Sequence, residues 1–449
     1  MTNQLDLETL PLLGEALRRL EAGFADLPPA SAAAPDMTRL AEVLAATADR
    51  LRDNYPYWHP LYAGQMLKPP HPVARLAYAL ALWINPNNHA LDGGRASSAM
   101  ELEAVAELAR MVGWKEHLGH LTAGGTMANL EALWVAGQLR PGKAVVASAQ
   151  AHYTHARISA VLGLPFQTVP ADREGRMDLG ALEQRLLREE IGTVVATIGT
   201  TGLGVVDPLP ELLRLQQRYG FRIHCDAAYG GYFGLASSLG PATRAAYDAL
   251  HQADSIVIDP HKHGLQPYGC GSVLFRDPTV GRFYRHDSPY TYFTSAELHL
   301  GEISLECSRP GAAAVALWAT QRLLPLVPGG EFGAMLDRGR AAALALHAHL
   351  ARDPRFITPF VPELDILVWA VAAPSAGEAS AKARALFSRA AELGLHLALI
   401  DLPLGMVDPD GTRFSADRET VTCLRSVLMK PEHAAWVDRI WGIVGDAAG

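Results

Sequence analysis

Hydrophobic positions along the chain follow three regimes. Leucines at 10, 13, 17 and 20 recur at helical spacing, and the pattern then breaks at an Ala/Pro-rich stretch over residues 27–35. With two prolines in series and no periodic apolar face, that stretch predicts a linker. Residues 55–88 are rich in proline, histidine and aromatic side chains, more than a mere spacer requires. From about 96 to 325 short continuous apolar runs at 143–148, 193–198, 222–225 and 255–258 alternate with amphipathic stretches. Such runs, separated by helices, predict a mostly parallel sheet covered on both faces, with ligands at the carboxyl ends of its strands. Beyond 326 the order reads helix, strand (366–371), helix, strand (397–400), strand (422–428) and terminal helix. The expected fold is α/β in three parts: an N-terminal helical segment (1–95), a large domain (96–325) and a smaller C-terminal α+β domain (326–449). No internal repeat is visible.

Composition narrows the function classes. At 449 residues, 49% hydrophobic and 19% charged, the chain is too apolar for disorder and long enough for large cores. Its formal charge of −8 gives no clustered positive field for a nucleic-acid backbone. The 40 glycines and 30 prolines point to many tight turns rather than a coiled coil. Four widely spaced cysteines (Cys225, Cys270, Cys307, Cys423) form no CxxC pair. They suggest neither a metal cluster nor a disulfide framework, and read as buried thiols in a reducing compartment. The N-terminus lacks a signal-peptide pattern, and no run of about 18 apolar residues occurs. The most apolar stretch, 312–325, is short and carries Gln321 and Arg322. The expectation is a cytoplasmic protein with neither a membrane nor a nucleic-acid partner.

Candidate chemistry gathers at the predicted strand ends. Asp259-Pro-His-Lys262 closes one strand and runs through Gly264 and Tyr268-Gly-Cys-Gly271 into the next. A lysine hemmed in by Pro260 and glycines is partly desolvated, which favours a neutral, nucleophilic amine; taken alone it is equally a solvated turn lysine. Asp226 ends another strand and precedes Ala227-Ala-Tyr-Gly-Gly231, whose small residues let a flat ring approach the backbone. There a carboxylate can pair with a protonated ring nitrogen, a contact of roughly 1.5–3 kcal/mol. Thr122-Ala-Gly-Gly-Thr126 opens a helical pattern, so its amides and hydroxyl form an anion site. His152 places an imidazole at the same sheet edge. Each residue has a plain structural role singly. A lysine amine, a carboxylate, a phosphate cradle and a stacking ring are together what pyridoxal 5′-phosphate requires.

Six motifs in order, Ser98-Ala-Met-Glu-Leu-Glu, Thr122-Ala-Gly-Gly-Thr-Met-Ala-Asn-Leu, Gln150-Ala-His-Tyr, Gly199-Thr-Thr-Gly, His224-Cys-Asp-Ala-Ala-Tyr-Gly-Gly and Asp259-Pro-His-Lys-His, carry a family resemblance. From about His59 to the C-terminus the chain resembles the group II pyridoxal-phosphate-dependent amino-acid decarboxylases, which act on aromatic amino acids, glutamate, or tyrosine and aspartate. The resemblance implies fold type I, with Lys262 bonded covalently to the cofactor, Asp226 on its ring nitrogen and His152 stacked on the ring. Gly125, Thr126 and His261 would contact the phosphate, while Thr200 and Ala228 would lie against the ring. Arg425 would meet the substrate carboxylate, and Tyr290 or Tyr292, in a loop, would return a proton to the α-carbon. His59, Gln65 and Lys68 fall in the stretch that lines the family's active-site mouth. Gln65 and Lys68 suit an acidic or polar side chain, Tyr57 and Trp58 an aromatic one. His263 replaces the family's usual tryptophan. The resemblance also implies a homodimer with shared active sites, turning an L-amino acid into CO2 and an amine. The alternatives are a carbon–carbon lyase resembling sphingosine-phosphate lyase, a decarboxylation-coupled oxidase giving an aldehyde, and a degenerate scaffold.

Overall fold

A computed structural model describes residues 5–28, 34–89, 91–285 and 303–449. Its larger sheet contains β1 (Leu118–Thr122), β2 (Ala144–Ser148), β3 (Phe166–Val169), β4 (Ile191–Thr197), β5 (Arg222–Asp226), β6 (Ser255–Ile258) and β7 (Gly271–Phe275) in the order β1-β7-β6-β5-β4-β2-β3. Strands β2 to β6 pair in parallel, while β7 runs antiparallel to both β1 and β6. Helices Gly125–Leu139, Thr154–Leu162, Leu179–Leu186, Leu209–Tyr219 and Pro241–Asp248 lie between successive strands from β1 to β6. Every residue of β1, β2, β4, β6 and β7 is buried, and in β2, β4 and β6 this explains the apolar runs: neither face meets water. Strand β3 escaped the sequence reading because it is an edge strand, with Gln167 and Thr168 interrupting a mostly half-exposed run.

A second, antiparallel sheet contains β8 (Phe356–Ile357), β9 (Ile366–Val371), β10 (Ala398–Pro403) and β11 (Thr420–Val427) in the order β10-β11-β9-β8. Trp369 is fully buried in it, and its indole N–H donates to Ser426 Oγ at 3.3 Å. Helices Glu331–Arg352, Ala376–Glu392 and His433–Ala448 cover this sheet with Leu346, Leu386, Ile440 and Val444. The architecture is the α/β arrangement of fold type I: a mostly parallel sheet with helices, followed by a smaller antiparallel one.

The leucine pattern at 10–20 forms helix Leu10–Ala22, and a second helix follows at Met37–Leu51. Neither contains a buried residue, and Leu10, Leu12, Met37, Leu40, Val43, Leu44 and Leu51 are exposed. The segment at 59–71 is a strap between the sheets. Ala63 N–H donates to His396 O, Val427 N–H to Ala63 O, and His71 N–H to Leu265 O. Three cysteines are buried as expected. Cys307 is the exception: it is exposed, in the chain that precedes helix Gly311–Leu323.

Candidate active site

The parallel strands end together on one side of the larger sheet, where side chains can converge on a ligand. Loops following β1, β2, β4, β5 and β6 enclose a cleft of about 620 Å³, with Tyr268 and Glu306 also in its wall. Asp226 is the last residue of β5, fixed by pairing to Thr197 on one side and Val257 on the other. Its Oδ2 lies 2.9 Å from His155 Nε2, and its Oδ1 accepts the Ala228 N–H at 3.2 Å. Burial alone would raise this carboxyl. The His155 hydrogen bond and charge, aided by Lys262 and His224, overcome it and hold Asp226 well below the usual carboxylate range. The chain therefore builds a buried carboxylate that stays ionised.

His152 precedes helix Thr154–Leu162, and its Nδ1 accepts the Thr154 N–H at 3.2 Å, which assigns the ring proton to Nε2. Burial lowers its pKa below 6.5, with Asp226 opposing, so the ring is neutral at pH 7. Lys262 stands in the turn after β6, with Nζ 3.2 Å from Asp259 Oδ2. That turn is clamped: Lys262 N–H donates to Asp259 O, His261 N–H to Cys270 O, and Gln266 N–H to Pro260 O. His261 Nδ1 lies 2.9 Å from the same Cys270 carbonyl, and its ring rests on Tyr268.

The turn at 123–126 leads into helix Gly125–Leu139. Gly124 has φ +155°, and a Cβ on Gly125 would come within 2.6 Å of Asp259 Oδ2, so side-chain-free backbone is required at this approach. Ala123 N–H donates to Glu306 Oε2 at 3.0 Å, so one amide of this turn already holds a carboxylate.

Seven predicted residues, Lys262, Asp226, His152, Gly125, Thr126, Ala228 and His261, line this single cleft. Thr200 does not: it is fully buried, and its Oγ1 accepts the Val205 N–H at 3.3 Å, closing a turn whose neighbours Gly199 and Thr201 face the cleft. Arg425, on β11, is buried outside the cleft lining, and its guanidinium donates to Gln65 Oε1 at 3.4 Å. His59 and Lys68 line a separate cavity of about 590 Å³. Tyr290 and Tyr292 lie outside the described residues. Sequence reasoning gave no role to His155, Asp259, Tyr268 or Glu306. The His-x-x-His spacing across a helix start signals His155, and Asp259 stands one turn before Lys262; Glu306 arrives from remote chain with no local signal. His263 fills an aromatic slot against Tyr229 and Phe233, with Nε2 3.3 Å from Asp365 Oδ2.

The sequence model of the family described as "pyridoxal-dependent decarboxylase conserved domain" matches residues 134–369. An L-tyrosine decarboxylase of Enterococcus faecium is 28% identical over 403 residues, covering 67% of this chain and 66% of that protein. An L-aspartate decarboxylase of Thermococcus kodakarensis is 31% identical over 283 residues, covering 62% of this chain and 71% of that protein. The chain thus spans about two thirds of the length of these curated relatives. Among solved structures, mouse CSAD in its apo form superposes with a TM-score of 0.78 at 22% identity, covering 96% of this chain and 92% of that one. That likeness shows the fold.

The residues present fit the cofactor that such a family uses. A shielded carboxylate, a lysine amine, a turn of amides with a hydroxyl and a side-chain-free approach at Gly125 surround a cleft within the range of about 300–1,000 Å³ usual for small ligands. The chain belongs to the pyridoxal-dependent decarboxylase family, with pyridoxal 5′-phosphate as its cofactor.

Proposed function

We propose that the protein is an L-amino-acid α-decarboxylase releasing CO2 and a primary amine. The observation that carries this reading is the ionised Asp226, held by His155 at 2.9 Å, in the same cleft as Lys262. When bound, pyridoxal phosphate supplies an electron sink for the pair left at the α-carbon as the carboxylate departs. Asp226, kept ionised by His155, would hold a proton on the ring nitrogen. Lys262 would provide the amine that holds the cofactor, and Asp259 at 3.2 Å would orient that amine. The amides of Gly125 and Thr126, the Thr126 hydroxyl and His261 would hold the phosphate. Neutral His152, in the wall of the cleft, would stack on the ring. The proton returned to the α-carbon comes from the tyrosine at 290 or 292, or through His152.

Arg425, outside the cleft, is left without the substrate role its family position suggested: its Nε and one terminal nitrogen are buried without a hydrogen-bond partner among the described residues, and Gln65 meets the other. Relatives named as decarboxylases of tyrosine, aspartate and 2,4-diaminobutyrate support decarboxylation over the lyase and oxidase readings. Two copies of the chain pair through the exposed leucines of Leu10–Ala22 and Met37–Leu51, a homodimer supported by their lack of any buried residue. The division at about 95 and 325 and a cytoplasmic location belong to the same reading; among the described residues no helix is long and apolar enough to cross a membrane.

The test is a screen of L-amino acids with cofactor-loaded protein, following CO2, amine, aldehyde and O2. Equal CO2 and amine are expected; stoichiometric aldehyde without amine overturns the reading. Loss of the visible band of the covalently held cofactor in Lys262→Ala checks the attachment.

A further inference from the structure

We infer that the second cavity binds a small, doubly charged oxyanion at the Lys68–Lys430 pair. The cavity, about 590 Å³, lies between the strap, the helix Glu331–Arg352 and the chain at 430–436, and shares no lining residue with the cofactor cleft. Lys430 is 2% exposed. Its Nζ donates to Tyr62 O at 2.6 Å and lies 5.3 Å from the centre of the Tyr62 ring; Lys68 Nζ reaches Met429 O at 3.5 Å. Among the described residues neither ammonium has a carboxylate oxygen within 4.0 Å. Each ammonium carries three N–H donors and meets one carbonyl, so donor capacity is left over in both.

The carboxylates that act on the pair do so without direct contact: Asp365 on Lys68, and Glu432 on both. Asp6 is bound to Arg75 at 2.5 Å, and Glu432 is exposed to solvent. Arg338 adds positive charge. His59 and His71 also line the wall, and each accepts a backbone N–H at Nδ1, from Leu61 and Val73, which assigns the remaining ring proton to Nε2 as a donor. Burial lowers Lys430 to about 7, with Lys68 adding to the effect, and lowers Lys68 to about 8. A buried Lys430 beside a half-buried Lys68, with no carboxylate in direct contact with either, is expensive, and an anion meeting both lowers that cost. Trp58 and Trp436 stand in the same wall and provide an optical signal.

The experiment uses cofactor-loaded protein, so that the turn at 123–126 is filled, at ionic strength held constant with potassium chloride. Inorganic phosphate and succinate are titrated separately, reading thermal stability and tryptophan fluorescence; tighter phosphate indicates a phosphoryl ligand, tighter succinate a dicarboxylate. A saturable response is expected, weakened about tenfold by Lys68→Met or Lys430→Met and abolished in the double variant. Glu432→Gln, on the exposed rim, is expected to tighten binding about threefold, and it decides the matter if the lysine variants do not fold. An unsaturable response, one unchanged in the double variant, or no effect of Glu432→Gln overturns the inference. The visible cofactor band, recorded in every variant, keeps a failure here distinct from a failure of the cofactor site.

Discussion

The two cavities differ in how their charges are balanced. In the cofactor cleft the buried carboxylate and the lysine each meet a side chain able to carry the opposite charge at short range: Asp226 has His155 at 2.9 Å, and Lys262 has Asp259 at 3.2 Å. In the second cavity Lys68 and Lys430 face carbonyl oxygens. Paired charges at a reaction centre are preorganised: their orientation is set before substrate arrives and needs no rearrangement during the reaction. Cations held by neutral dipoles are suited instead to receive charge from outside. Burial is therefore overcome in one place, where His155 and Lys262 keep a carboxylate ionised against it, and prevails in the other, where it weakens the hold of two lysines on their protons.

This contrast breaks most visibly at Lys262. Lys262→Ala should lower decarboxylation on the order of 10⁴-fold or more and remove the covalent cofactor band, as measured by CO2 release and absorbance. Asp226→Asn keeps the shape and loses the charge; a fall in kcat of about 10²–10³-fold with the band retained is expected. An unchanged kcat would mean that the ring nitrogen does not depend on this carboxylate. His155→Gln acts only through Asp226, and about a 10- to 100-fold loss should be accompanied by a changed pH dependence of the cofactor spectrum. Truncation that merely loosens packing would leave that spectrum alone.

In the second cavity the sign reverses. Lys430 titrates at about 7 when folded and near 10.5 when unfolded, so its charge costs no stability above about 10.5 and its full penalty below 7. Lys430→Met should accordingly be more stable than the parent by about 1–2 kcal/mol at pH 6.5, in denaturant titrations without added phosphate, and the gap should close towards pH 10. A gap of equal size at both pH values would assign the effect to packing. The smallest effect belongs to His152: since its pKa lies below 6.5, kcat should show no His152 limb between pH 7 and 8, and His152→Gln should abolish an acid limb that begins below 6.5.

Much of this was legible in the sequence wherever burial left a one-dimensional trace. Strands at 255–258 and 366–371 match the apolar runs residue for residue, because both faces of each are buried and no polar position interrupts them. Strand β8, at two residues, is too short to leave a period, and β3 lies at an edge where polar residues are tolerated. At the site, residues next to strand ends were legible because parallel topology gathers those ends. Long-range partnerships were not. The separation of Arg425 from the cofactor cleft follows from its register on β11 opposite Val368 and Ala398, and the Glu306 contact with Ala123 joins residues 183 apart.

The lysine turn joins two strands that run antiparallel in the middle of the larger sheet, and hydrogen bonds cross its neck from His261 to Cys270. It thus resembles an anvil more than a hinge. The strap at 59–71 is tied to the smaller sheet through Ala63, His396 and Val427, and to the lysine turn through His71 and Leu265. The strap therefore works as a tie rod between the smaller sheet and the anvil, and a change in its backbone is felt at the lysine as well.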